Sequence, residues 1–367
     1  MATVVDIVRF FTIQGLIMPN EPIVHGLISL CLSDVSPKDK PWDAHKDQSR
    51  QVSSIYAQAE NEKYAERILE CSQSLEFRVL SDDQSVSHLK LHSARFCRVR
   101  LCPVCQWRRS MMWRARFLKA LPKICADYPR GRFIFLTLTV RNCPLEDLRE
   151  TIAWMNASWK KMTMRKNFPA LGWIKCIEIT RSEDDMAHPH FHCLLMVNQT
   201  YFSRGYISQS DWTKMWKECL KVDYIPIVNV KRVKERKQKR KQIVDSVNDS
   251  NVNNCNNTTV DNSVNDIIAG VLETIKYSVK PSDLIGSNDD KIKPHEWLAE
   301  LTRQLHKTRS IALGGIFKQY LSEDEPEDLI NADIEEETDL DEEGYNYIFE
   351  WRDVMKRYTY KETVNNK

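Results

Sequence analysis

The chain has 367 residues, 42% of them hydrophobic, and a net charge of only +2, enough for a sizeable core with appended modules. Residues 323–344 hold thirteen acids and no Lys or Arg, so the remainder stands at +15, which favours a polyanion partner, above all nucleic acid. The absence of any run of eighteen apolar residues and of a signal-peptide layout argues against a membrane-spanning or secreted protein and for a soluble cytoplasmic one. Eleven cysteines in a chain this long read as reduced thiols, some of them holding metal.

Residues 1–65 carry no recognisable chemistry: Ser36 to Pro41 is a turn, and Ala57 to Leu69 a polar-faced helix. The first signal is Cys102-x2-Cys105, the spacing that lets two thiolates meet one tetrahedral zinc ion. Cys97 and Cys71 can complete a four-thiolate site, with His92 as a rival fourth ligand. Such a site is structural, because four protein ligands leave no place for substrate. Arg98, Arg100, Arg108 and Arg109 surround it, interleaved with Phe96 and Trp107, and are candidates for DNA contact. The helix expected over Trp107 to Leu121 also needs an apolar side for the core.

Arg132 to Val140 reads as a strand and Leu145 to Met164 as an amphipathic helix, with Leu148, Ile152, Met155 and Trp159 at helical spacing. Gly172 ends that pattern. Trp173 to Thr180 is a second strand, joined through Ser182 to Asp185 to the stretch His188 to Val197. Side chains alternate along a strand, so His188, His190 and His192 share one face and can converge on a divalent cation. The hairpin sets Glu178 beside them. A carboxylate inside an apolar strand needs a partner; a metal supplies one, a salt bridge is the plainer alternative. Glu178 and His188 compete for the third ligand position.

Tyr201 to Ile207 is a turn, Ser210 caps a helix with Trp212, Trp216 and Leu220, and Ile225 to Val233 is a strand. Beyond the basic run Lys234 to Lys241, residues 246–266 are dominated by Asn, Asp, Ser, Val and Thr, a composition that reads as a disordered surface insertion. A helix is then expected from about Asp266 to Pro281, with Glu273, Tyr277 and Lys280 on one face. A phenolate can attack a phosphodiester when a metal neutralises the phosphate and a cation eases loss of the phenolic proton.

Phe135 to Thr139, His188 to His192, and Glu273 with Tyr277 and Lys280 resemble, in order and spacing, the three successive motifs of plasmid rolling-circle replication initiators. These belong to the HUH endonucleases, which cut single-stranded DNA through a tyrosine. Phe96 to Cys105 with the upstream Cys71 resembles the cysteine module of the branch with one catalytic tyrosine and a nearby glutamate. The likeness covers roughly residues 66–320.

The resemblance implies an α+β fold: a central antiparallel sheet of about five strands with flanking helices (a ferredoxin- or RRM-like palm), plus a small N-terminal zinc-binding module. It divides the chain into an unassigned region 1–65, a zinc module and basic helix 66–126, a nicking domain 127–285 with a disordered insertion at about 234–265, a helical extension 286–322 and an acidic tail 323–367. Mg²⁺ or Mn²⁺ is implied on His190, His192 and either Glu178 or His188, and structural Zn²⁺ on Cys71, Cys97, Cys102 and Cys105. Tyr277 is implied as the nucleophile that leaves a 5′-phosphotyrosine, and Glu273 as the base that activates water at termination. The implied partners are plasmid origin DNA, single-stranded or as a hairpin, with a host helicase and DNA polymerase. A relaxase is disfavoured because the tyrosine follows the histidines, and an HUH transposase because of the cysteine module. A non-catalytic zinc DNA-binding regulator is the alternative from another class.

Overall fold

β-Branched and aromatic runs build a five-stranded sheet at the heart of the molecule. The computed structural model describes residues 30–81, 87–233, 270–271, 274–275, 278–287, 290–322, 326–332 and 346–361. Glu273, Tyr277, the basic run from Lys234 and the insertion expected at about 234–265 lie outside them. The sheet contains β3 (Gly131–Thr139), β4 (Ala170–Arg181), β5 (Ala187–Asn198), β6 (Val228–Arg232) and β7 (Ile311–Gly315). Their order is β6-β3-β5-β4-β7, every pairing is antiparallel, and β5 is central. A central strand is covered on both faces, which is why His192 to Val197 is buried throughout.

One face of the sheet is covered by α5 (Leu148–Thr163) and α6 (Gln209–Leu220). Trp159 and Trp216 reach Phe191 of β5, with ring centroids 6.5 and 6.4 Å away. Each fully buried aromatic contributes roughly 2–3 kcal/mol through the water it sheds. The other face carries α4 (Pro103–Asp127), whose Phe117 meets Phe133 edge-on at 6.3 Å. Residues 270, 271, 274 and 275 lie over the same face: Arg114 of α4 donates to the Ile275 carbonyl at 2.9 Å, and a Cβ on Gly270 would touch Leu194. The helix α6 starts at Ser208 rather than Ser210, because Ser208 and Asp211 cap each other reciprocally.

A second sheet, of order β2-β1-β8-β9, joins distant parts of the chain. β1 (Ser74–Ser81) and β2 (Ser87–Ala94) form a hairpin, and β8 (Asn346–Arg352) pairs with β1, setting Leu75 opposite Phe349. β9 (Arg357–Lys361) pairs with β8 and buries Tyr358, whose hydroxyl donates to the Ser72 carbonyl at 2.6 Å. The stretch 323–367, expected as one acidic tail, therefore ends in a hairpin; the alternation Tyr347, Phe349, Trp351 is the strand signal its acids hide. Residues 30–69 form α1 (Leu32–Val35), α2 (Pro41–Gln58) and α3 (Glu62–Leu69), which pack beside this sheet; the helix expected over Ala57 to Leu69 is broken at Glu60 (φ +54) and restarts under the Asn61 cap. Two further helices, α7 (Pro281–Ile285) and α8 (Pro294–Leu305), precede β7.

Candidate metal centre and cysteine cluster

The hairpin β4–β5 positions the first group. Its turn places Asp185 at φ +59, in the left-handed region, and the Arg181 guanidinium clamps that carboxylate at 2.6 Å and Asp290 at 2.8 Å while lying over Trp297. This fixes the register with Glu178 opposite His190 and Cys176 opposite His192. Glu178 Oε2 then lies 2.7 Å from His192 Nε2 and 3.2 Å from His190 Nε2. The three ligand atoms are all within 4.8 Å of one another, so the group can hold a metal ion.

The outer nitrogens of both rings face fixed oxygens. His190 Nδ1 lies 3.2 Å from the His188 carbonyl, and His192 Nδ1 lies 3.4 Å from Thr137 Oγ1. A proton on each Nδ1 would free the Nε2 lone pairs for a metal, the tautomer a metal requires; with the proton on Nε2 instead, both rings donate to Glu178. Burial works against the Glu178 carboxylate, but His190 and His192 outweigh it and hold its pKa well below the ordinary range. His188 is not part of the group: its Nδ1 is 2.5 Å from Asn142 Oδ1. Asn142 and Thr137 escaped the sequence reading, although Thr137 sits within the motif Phe135 to Thr139.

Lys280 reaches the same place by an unexpected route. The helix expected to run to Pro281 gives way earlier: Lys280 is extended (φ −66, ψ 142), and Pro281 begins α7 instead of ending a helix. Ile179 of β4 donates to the Ser278 carbonyl at 2.9 Å, so residues 278–280 run beside β4. That path sets Lys280 Nζ 3.4 Å from Glu178 Oε1.

The second group is Cys71, Cys97, Cys102 and Cys105. Cys105 Sγ lies 3.6 Å from Cys71 and from Cys97, and Cys102 Sγ lies 3.8 Å from Cys71. Thiolates bound at about 2.3 Å to one tetrahedral ion stand about 3.8 Å apart, so the spacing fits such an ion. Burial opposes a thiolate on Cys102, yet the neighbouring thiols, Cys105 foremost, bring its pKa down. His92 is exposed on β2 and takes no part. The helix α2 braces the cluster: Lys46, wholly buried, donates to the Cys71 carbonyl at 2.6 Å, and Ser49 Oγ is 3.5 Å from Cys102 Sγ. Nothing local in sequence marks those two residues, because their partners lie about twenty-five and fifty residues away.

The four candidate DNA-contact arginines separate. Arg108 is 1% exposed; it donates to the carbonyls of Leu329 (2.9 Å) and Ile330 (2.7 Å) and lies over Trp42 and Trp107. It is an interior anchor for residues 326–332 and is not placed to meet DNA. Arg109 is paired with Glu327 of that segment, and the exposed Arg98 approaches the Glu327 carbonyl at 3.5 Å. Arg100 donates to the Thr308 carbonyl and lines a cleft. No helix among the described residues is long and apolar enough to cross a membrane.

A family model described as "Replication protein" matches residues 88–359. A "Protein rep" of Lentilactobacillus hilgardii is 34% identical over 87% of this chain and 95% of its own length. One of Bacillus amyloliquefaciens is 34% identical over 88% and 95%, and one of Streptococcus pneumoniae 30% identical over 88% and 93%. No solved structure matches at a significant level. The chain belongs to the replication-protein family, the class of plasmid replication initiators.

Proposed function

We propose that the chain starts rolling-circle replication of a plasmid by nicking single-stranded origin DNA and later rejoining it, as an HUH endonuclease. The observation that carries this is the convergence of Glu178, His190 and His192 at the centre of a sheet in a replication protein. The connectivity β3-α5-β4-β5-α6-β6, with strand order β6-β3-β5-β4, supports a ferredoxin-like palm beneath that group.

Mg²⁺ or Mn²⁺ held by Glu178, His190 and His192 would neutralise charge on the scissile phosphate, since three protein ligands leave positions open to its oxygens. Tyr277 attacks phosphorus through its phenolic oxygen, the bond to the 3′ oxygen breaks, and the products are a 5′-phosphotyrosine and a 3′-OH that primes synthesis. Lys280 adds positive charge beside Glu178, where the phenolate must approach. Glu273 takes a proton from water at termination, so one protein serves one round. Zn²⁺ on the four thiols is structural. The origin strand, a host helicase and a polymerase are the partners, in the cytoplasm.

Incubating the protein with Mn²⁺ and single-stranded origin DNA should give a covalent adduct on a denaturing gel. If none forms, the chain is a zinc DNA-binding regulator. Glu273→Ala should still form the adduct but terminate about 10²–10⁴-fold more slowly, the usual worth of a general base. A two-origin plasmid then yields products that run past the first stop, and Glu273→Tyr partly restores termination. Normal termination by Glu273→Ala would remove the hydrolytic role. For the cysteine cluster, about one zinc per chain is expected by metal analysis, lost in Cys102→Ser or Cys105→Ser. A stable, zinc-free wild-type preparation would contradict it.

A further inference from the structure

A cleft of about 420 Å³ opens between α4 and the loop that follows α8. Its lining includes Arg98, Arg100, Arg109, Lys307 and Arg309, and no carboxylate among the described residues. Arg109 meets Glu327 at its margin, so an anion already fits there. The interior is left with donors that no group among the described residues accepts from. Arg100 Nε and Nη2 are buried without a partner, and so is Gln106 Nε2. The Gln106 amide is fixed the other way round, since its Oε1 accepts from Ser278 Oγ (2.9 Å) and from the Val279 N–H (3.3 Å).

Each unpaired buried donor costs about 1–3 kcal/mol, more when charged. Three of them together call for a ligand that only accepts, and the cations require it to be negative. Burial also pushes the Arg100 pKa down, to about 10, as befits a cation short of a counter-charge. The cleft adjoins the metal group. Ile177 donates to the Ser310 carbonyl and Ile179 to the Ser278 carbonyl, each at 2.9 Å; both acceptors belong to cleft residues, and Glu178 lies between the two donors.

We propose that this cleft binds a backbone phosphate of the DNA strand next to the scissile one, through Arg100, Gln106 and Lys307, and so sets which phosphodiester reaches Glu178, His190 and His192. The proposal rests on the nicking function above. A free phosphate or nucleotide offers the same chemistry; the position against β4 favours DNA.

The test uses the full chain without added divalent cation, a fluorescent single-stranded oligonucleotide, and inorganic pyrophosphate as competitor. Arg100→Gln, Gln106→Leu and the double variant Lys307→Ala with Arg309→Ala are compared with wild type. DNA affinity in Arg100→Gln and in the double variant should fall on the order of tenfold at low salt, with the slope of log K against log salt shallower by about 0.7 for each phosphate no longer neutralised. Gln106→Leu, which removes a neutral donor, should weaken binding without changing that slope. With metal restored, adducts should form at more than one phosphodiester, a change that a purely structural defect does not produce. Lys307 and Arg309 are exposed, so the double variant decides the matter if Arg100→Gln fails to fold. Wild-type affinity and slope in folded variants would overturn the proposal. So would tight pyrophosphate binding that the variants abolish while DNA binding stays untouched. A wild-type protein that forms no adduct would instead sink the nicking function, a separate readout.

Discussion

Tyr277→Phe is expected to abolish nicking and covalent capture, by a factor on the order of 10⁴ or more, while origin binding stays close to wild type. The substitution removes a single oxygen, and in the proposed chemistry that oxygen forms the new bond to phosphorus. The other nucleophilic groups there, the Glu178 carboxylate and the His190 and His192 imidazoles, face one another and would be taken up by a metal. Denaturing gels with end-labelled single strands measure the adduct, and filter binding measures affinity. An adduct that persists in Tyr277→Phe would assign the attack to another residue.

The second large effect falls on the metal centre. Glu178→Ala should weaken Mn²⁺ binding by about 100-fold or more, since even outer partners of metal ligands are worth 10–100-fold. Nicking should vanish at low Mn²⁺ and return in part at high Mn²⁺. Glu178→Gln keeps the shape and loses the charge, so it should share the metal defect while keeping the wild-type melting curve. His190→Ala and His192→Ala should behave as Glu178→Ala does. His188→Ala should retain Mn²⁺ affinity within about threefold, because its ring is turned to Asn142. Calorimetric titration with Mn²⁺ separates these cases. Wild-type Mn²⁺ affinity in Glu178→Ala would remove Glu178 from the ligand set.

Local sequence was enough for the strands at the centre of the first sheet and for the histidines, Glu178 and the cysteines. The β-branched and aromatic run Arg132 to Thr139 and the apolar run His192 to Val197 mark strands by composition and length, and the alternation of side chains along a strand gathers the histidines on one face, because side-chain direction along a strand is a local property. The cysteine spacing likewise named Cys102 and Cys105 before any folding, while Cys71, Cys97 and the rival His92 stayed open until folding brought the two further thiols in and left His92 out. Tertiary packing settled everything that depends on which distant segment arrives. Glu178 rather than His188 joins His190 and His192 because the Arg181–Asp185 clamp sets the hairpin register, and a slip of one residue would turn Glu178 to the opposite face. Lys280 meets Glu178 only because Ser278 pairs with β4 a hundred residues away in sequence. Arg108 looked like a surface cation among its neighbours. Its fate was settled by carbonyls more than two hundred residues later. The C-terminal hairpin shows the same rule, since β8 gains its buried face from β1 and its own acid-rich flank gives no hint of that partner. Periodicity encodes how a segment folds, whereas pairing energy, which exists only once both partners are present, chooses where it goes.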